Sequence, residues 1–131
     1  MKRDPRVVSY LLAEGWTALV GRTDADNDAL SLKVARPDDW WFHVRGMPGS
    51  HVVLQGPPGA EAGRDLLKQA AAIAAWHSKA REGGLVAVSG TRARYVTKPR
   101  GAKPGTVQIR KEELFKVRPA VPDQPEEPWG R

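Results

Sequence analysis

The chain has no cysteine among its 131 residues, which excludes disulfides, thiolate metal sites and a cysteine nucleophile. It also lacks any run of about 18 consecutive apolar residues, so no membrane-spanning helix is expected. The opening stretch MKRDPRVVSYLLAEGW carries no small-residue cleavage signature, and no signal peptide is read there. The expectation is a soluble, cytoplasmic protein. A nucleotide-type phosphate loop is missing too, because no glycine-rich turn ends in Lys-Ser/Thr and no GxGxxG core occurs. The Gly49-Ser50-His51 stretch does not make a serine nucleophile elbow, since neighbours on a strand point to opposite faces. No acidic residue stands at a recognisable spacing to orient a histidine base, and no carboxylate cluster completes a histidine metal site. Asp24, Asp26 and Asp28 alternate as calcium ligands do, but the glycine and glutamate such a loop needs are absent. A solvated turn is the reading there, with no metal and no cofactor.

What is present is positive charge. The net charge is +6 and the isoelectric point is about 10.0, which favours a polyanionic partner. That excess is local: residues 1–91 hold 11 Lys or Arg against 10 Asp or Glu (+1), residues 92–118 hold 9 against 2 (+7), and residues 119–131 hold 1 against 3 (−2). The length suits one domain able to bury a core without staples. We place it over residues 1–118, followed by a disordered Pro-rich acidic tail over 119–131.

The pattern predicts an α+β fold, a mostly antiparallel sheet with one long amphipathic helix packed on it. Residues 6–12 and 16–21 read as two strands of a hairpin, residues 22–27 as a polar turn, and the alternating ALSLKV of residues 29–34 as a third strand. Residues 40–44 and 51–54 read as two further strands around a Gly46-Met47-Pro48-Gly49 turn, with Trp41 and His43 on one face and Trp40, Phe42 and Val44 on the other; one face is expected to be core. The alanine-rich stretch 60–82 reads as the helix, with Leu66, Ala70, Ile73, His77 and Ala80 on its apolar stripe and a stop at Gly83-Gly84. His77 is then expected to bond a backbone carbonyl, and Lys79 and Arg81 to oppose the helix dipole from its last turn. Residues 85–89 and 93–97 read as strands separated by Gly90, which would put Arg92 and Arg94 on a common face. Residues 106–109 and 115–117 read as short extended segments.

Two stretches carry the chemistry. DWWFHVRGMPGSHVVLQ, residues 39–55, sets His43, Arg45 and His51 around one turn beside Trp41, an assortment that grips phosphodiesters and stacks on bases, although its tryptophans equally serve a small sheet's need for bulky residues. KPRGAKPG, residues 98–105, holds Lys98, Arg100 and Lys103 on a backbone stiffened by Pro99 and Pro104, which lowers the ordering cost of placing cations against phosphates.

Four ordered motifs then resemble a known family. They are Gly21, Arg22, Asn27 and Asp28; the DxWFHVR..PGSHVV pattern over residues 39–53; the AA..A..SKAR pattern over residues 71–81; and YV.KP.GAKPG.V over residues 95–107. Together they resemble the NFACT RNA-binding domain, found in ribosome-associated quality-control proteins and as short stand-alone bacterial proteins. The resemblance implies an α+β module without catalytic activity that binds structured RNA, with transfer RNA and large-subunit ribosomal RNA as the natural partners. By motif it implicates Arg22, Asn27, Trp41, His43, Arg45, Ser50, His51, Lys79, Arg81, Lys98, Arg100 and Lys103, to which the charge distribution adds Arg92 and Arg94. Thr23 stands where the family commonly has asparagine. The alternatives are an RNA-delivery partner in transfer-RNA modification, and an enzyme on phosphorylated or nucleotide substrates with His43 or His51 as base and Arg45 as anion clamp.

Overall fold

A computed structural model describes residues 5–122. A six-stranded sheet in the order β1-β2-β4-β3-β5-β8 carries the fold, with β1 Val7–Leu11, β2 Thr17–Gly21, β3 Trp40–Val44, β4 Val52–Gln55, β5 Val86–Arg92 and β8 Glu113–Val117. Every pairing in it is antiparallel. A small separate hairpin pairs β6 Val96–Thr97 with β7 Gln108–Ile109. The α+β, mostly antiparallel architecture is as the sequence predicts.

Strand pleating sends alternate residues to opposite faces, and here both faces are covered rather than one. Trp40, Phe42 and Val44 of β3 lie with Val52, Leu54, Val88 and Phe115 under the helix α2, Arg64–Trp76. Trp41, between them in sequence, joins Val53, Leu30 and Val96 in a second, smaller core on the other face. Gly90 does not separate two strands. It lies inside β5 opposite Phe42, where a Cβ would come within 2.8 Å of Phe115 and 2.9 Å of Phe42, so only hydrogen fits between the two rings.

The helix is shorter than the 60–82 stretch suggested. It has 13 residues, starts after Gly63 and stops at Trp76, where the Ser78 hydroxyl donates to the Ala75 carbonyl at 2.7 Å. Its buried stripe runs through Leu67, Ala70, Ala71, Ile73, Ala74 and Ala75, and the four alanines let it sit close on β3 and β5. Lys79 and Arg81 therefore lie beyond the helix, not in its last turn. His77 does face inward from the helix end, but its partner is the Tyr10 hydroxyl, Oη to Nε2 at 2.7 Å, instead of a backbone carbonyl.

The third expected strand is a second helix. Residues Asp24–Ala29 form α1 and Leu30–Val34 continue it as one wider turn, closed by Ala35 N–H donating to Leu30 C=O at 2.9 Å. The T-x-x-D pattern of Thr23 and Asp26 is the signal that decides it: Thr23 Oγ1 accepts from Asp26 N–H at 3.1 Å and donates to the Asp26 carboxylate at 2.8 Å. With the helix cap in place, the apolar alternation of residues 29–34 leaves Leu30 buried and Leu32 and Val34 exposed. Residues Ala93–Tyr95 form a short turn in place of a strand, which removes the common face expected for Arg92 and Arg94.

Residues 119–122 run back along α2, with Ala120 N–H donating to Ala72 C=O at 3.2 Å and Val121 packed on the main core. The rest of the expected tail, 123–131, falls outside the described residues. Among the described residues no helix is long and apolar enough to cross a membrane.

Candidate functional site

The four motifs meet in space at one end of the sheet. The turn joining β3 to β4 is the meeting point, because three separate segments bond to its backbone. On one side Gly21 N–H donates to His51 C=O at 3.1 Å and His51 N–H donates to Asn27 Oδ1 at 3.0 Å, tying the turn to the end of β2 and to α1. On the other, Ser50 N–H donates to His77 C=O at 2.9 Å and Lys79 N–H to Pro48 C=O at 3.4 Å, tying it to the chain beyond α2. Gly49 and Ser78 form an isolated antiparallel bridge there.

Between these ties lies a polar cleft of about 420 Å³ walled by Arg22, Ser50, Lys79 and Arg81. Arg81 is held for it: its guanidinium lies 4.4 Å over the Trp76 ring and Nε donates to Trp76 C=O at 2.8 Å. The Lys79 ammonium has no ion-pair partner among the described residues. Asp24 closes one edge of the cleft, next to Gly105 of the basic loop.

A second hollow of about 350 Å³ opens across the turn, walled by His43, Arg45, His51, Gly105 and Thr106. The half-buried His43 ring stacks on Trp41 with centroids 6.0 Å apart and meets His51 edge-on at 5.4 Å. Burial lowers the His43 pKa below its ordinary value. Arg45 projects outward and pairs with Glu112 at 2.6 Å, a solvent-facing contact worth little in stability and readily exchanged for another anion.

Trp41 and His51 form the floor of this hollow but are each only 2 % exposed, so neither offers an open ring face to a ligand in this conformation. They belong to a buried relay whose proton positions follow from elementary valence. The Gly105 carbonyl can only accept, so at 3.2 Å from it His51 Nε2 carries the hydrogen. His51 Nδ1 is then an acceptor, filled by the Ser31 hydroxyl at 2.7 Å, and Ser31 Oγ in turn accepts from Trp41 Nε1–H at 2.9 Å. The ring is neutral, and burial, helped by the nearby His43, lowers its pKa to about 4.

The remaining cations divide. Lys98 pairs with Asp28 at 3.1 Å and donates to the Lys103 and Thr106 carbonyls at 2.6 and 3.1 Å, so its charge is engaged by α1 and by its own loop. Arg92 lies 4.5 Å over the Trp40 ring and pairs with Glu61 at 3.2 Å, while Arg94 pairs with Asp38. Both sit beside Asp38, apart from the turn and the two hollows. Arg100 and Lys103 are exposed on the loop, with no ion pair among the described residues. Sequence reasoning missed Ser31 and the part played by Asp28. Asp28 had a visible signal, since it completes the Gly21-Arg22-Asn27-Asp28 motif; Ser31 had none, because its segment read as a strand.

Fold and site together define a small α+β module whose cations, drawn from distant segments, flank a rigid turn. The chain belongs to the NFACT protein RNA binding domain family, which it matches over residues 6–111. It is 39 % identical over 116 residues to the Rqc2 homolog RqcH of Bacillus subtilis strain 168, covering 88 % of this chain and 20 % of that protein. It is 33 % identical over 120 residues to the Rqc2 homolog RqcH of Streptococcus pneumoniae strain D39, covering 91 % of this chain and 21 % of that one. The chain thus spans about a fifth of the length of these relatives. The solved C-terminal structure of the fibronectin/fibrinogen-binding protein of Streptococcus suis superposes with a TM-score of 0.82 at 34 % identity, covering 92 % of this chain and 47 % of that one.

Proposed function

We propose that the chain is a non-catalytic module for structured RNA, with transfer RNA or large-subunit ribosomal RNA as its partner in ribosome-associated quality control in the cytoplasm. Residues 1–118 form the binding unit. The observation that carries this reading is the convergence of Arg22, Ser50, Lys79 and Arg81 on one cleft, bordered by the exposed Arg100 and Lys103 loop, in a chain of an RNA-binding domain family. Cations flanking a rigid turn neutralise phosphates without first paying an ordering cost. The half-buried, neutral His43 beside Arg45 offers a stacking and hydrogen-bonding surface to a sugar or an unstacked base.

One of the two candidate bases of the enzymatic alternative is committed elsewhere. Both ring nitrogens of His51 are engaged, one by Ser31 and one by Gly105, and neither can take a substrate proton without breaking the relay.

The test is binding of the purified chain to transfer RNA, a structured ribosomal RNA fragment and duplex DNA of equal length across a salt series. RNA binding that persists near physiological salt and resists DNA competition is expected. Equal, salt-labile binding of all three would reduce the interface to general electrostatics. The double change Arg100→Ala with Lys103→Ala should flatten the log–log salt slope by about 1.4 to 1.8.

A further inference from the structure

The basic loop over residues 98–105 contains prolines and glycines and forms no regular element, yet it is anchored at both ends to a single carboxylate. Asp28 Oδ1 accepts from Gly105 N–H at 2.9 Å, and Asp28 Oδ2 pairs with the Lys98 ammonium at 3.1 Å. The other side of the same Gly105 is held as well, because its carbonyl accepts from His51 Nε2–H at 3.2 Å. Gly105 is thus gripped through both its N–H and its C=O, at φ +87°, a conformation that only glycine adopts without strain. Lys98 completes the closure by donating to the carbonyls of Lys103 and Thr106 across the loop.

We infer that Asp28, Lys98 and His51 are positioning residues that clamp the 98–105 loop, so that Arg100 and Lys103 alone of its cations face the RNA. This rests on the RNA-binding reading for its purpose, but the clamp itself has an independent readout. The inference reassigns two residues that charge and motif would place on the ligand. Lys98 acts by neutralising Asp28 and closing the loop. His51 acts by fixing Gly105, itself fixed through Ser31 and Trp41.

The sign of one effect separates the clamp from general electrostatics. Asp28 is a negative charge close to a polyanion-binding surface, so on charge alone its removal tightens binding. If Asp28 is the anchor, its removal weakens binding. The experiment uses the full chain as wild type, Asp28→Ala, Asp28→Asn and Lys98→Met, each checked for native circular dichroism. Two quantities are measured: the affinity for transfer RNA across a salt series, and the rate of tryptic cleavage after Arg100, followed by mass spectrometry. Within this loop Arg100 is the position open to trypsin, because Lys98 and Lys103 each precede proline.

Asp28→Ala is expected to raise cleavage after Arg100 about tenfold as the loop opens, and to weaken RNA binding by about threefold to tenfold despite the charge it removes. Lys98→Met should behave alike. Asp28→Asn, which keeps an oxygen for Gly105 N–H but loses the charge facing Lys98, should fall between. Unchanged cleavage together with equal or tighter binding in Asp28→Ala would overturn the clamp. Faster cleavage in a chain that binds none of the RNAs would uphold the clamp and sink the RNA-binding reading instead. If Asp28→Ala fails to fold, Asp28→Asn and Lys98→Met decide on the same two readouts.

Discussion

The two faces of the central sheet are made from alternate residues of the same strands and have opposite characters. Beneath α2, Phe42, Val44, Val52, Leu54 and Val88 form a wide apolar layer against Ala70, Ile73 and Ala74. On the other face Trp41, Val53, Leu30 and Val96 form a small core threaded by Asn27, Ser31 and His51, all buried and all hydrogen-bonded. The apolar layer holds the sheet; the polar one fixes the turn and the loop. Stability and positioning are thus separated by a single residue step along β3, and a substitution on one face should be read differently from its neighbour on the other.

The largest expected effect lies under the helix. Phe42→Ala empties a fully buried site between Trp40, Phe115 and Gly90 and should cost about 3–5 kcal/mol. Urea denaturation measures it, and RNA affinity of the folded fraction should stay within twofold, about 0.4 kcal/mol. A large loss of affinity in molecules shown to be folded would break the division between the faces.

Acid comes next, and it acts through the polar face. The His51 pKa is near 4 in the folded chain against an ordinary 6.5, because burial and the adjoining His43 disfavour its charged form. Between those values the unfolded chain takes up a proton that the native chain refuses. The His51 contribution is therefore complete above about pH 6.5 and declines as the pH falls toward 4, by about 2 kcal/mol between pH 7 and 5. His77 on the opposite face, also lowered to about 4 by burial and then by Arg81, adds a change of the same sign. Denaturation midpoints at the two pH values should fall accordingly, and a flat profile would show that His51 takes up its proton in the native chain as readily as in the unfolded one.

Ser31→Ala should cost somewhat less, about 1–2 kcal/mol, by leaving Trp41 Nε1–H and His51 Nδ1 without their shared partner. It sharpens the comparison because it should also weaken RNA binding, whereas Phe42→Ala does not. The smallest expected change in stability is at the surface. Lys79→Ala should alter folding by less than about 0.5 kcal/mol, and should lower the salt slope for RNA by about 0.7 to 0.9. An unchanged slope would remove Lys79 from the interface.

Much of this plan is legible in the residues themselves. The period-2 alternation of WWFHV sorts the residues of β3 onto the right faces, although it does not show that both faces are covered, and the hairpin of β1 and β2 follows from two β-branched runs around Glu14-Gly15. Residues 29–34 mislead because Leu30, Leu32 and Val34 alternate as in a strand, while the Thr23–Asp26 cap commits the chain to a helix before they are reached. The alanine-rich stretch 60–82 suggests too long a helix, because composition cannot show that Ser78 pairs with Gly49 and draws the backbone away at Trp76. At the site, the motifs locate the residues but not their roles. Lys98 and Arg100 look alike as sequence, and only the placement of Asp28 makes one a staple and leaves the other exposed. His51 likewise reads as a contact beside His43, yet the segment that buries it carries Ser31 from a different part of the chain.

The alanines of α2 have a reach beyond packing. Ala70, Ala71, Ala74 and Ala75 fix how far the helix axis stands from the sheet, and the chain leaving that helix is pinned to the turn through His77, Ser78 and Lys79. The distance between the Arg22 wall and the Lys79 wall is therefore set from behind, by methyl groups that touch neither. They work as a spacer: lengthening one of them, as in Ala74→Leu, would lift the helix and reset the gauge of the cleft with every charge intact.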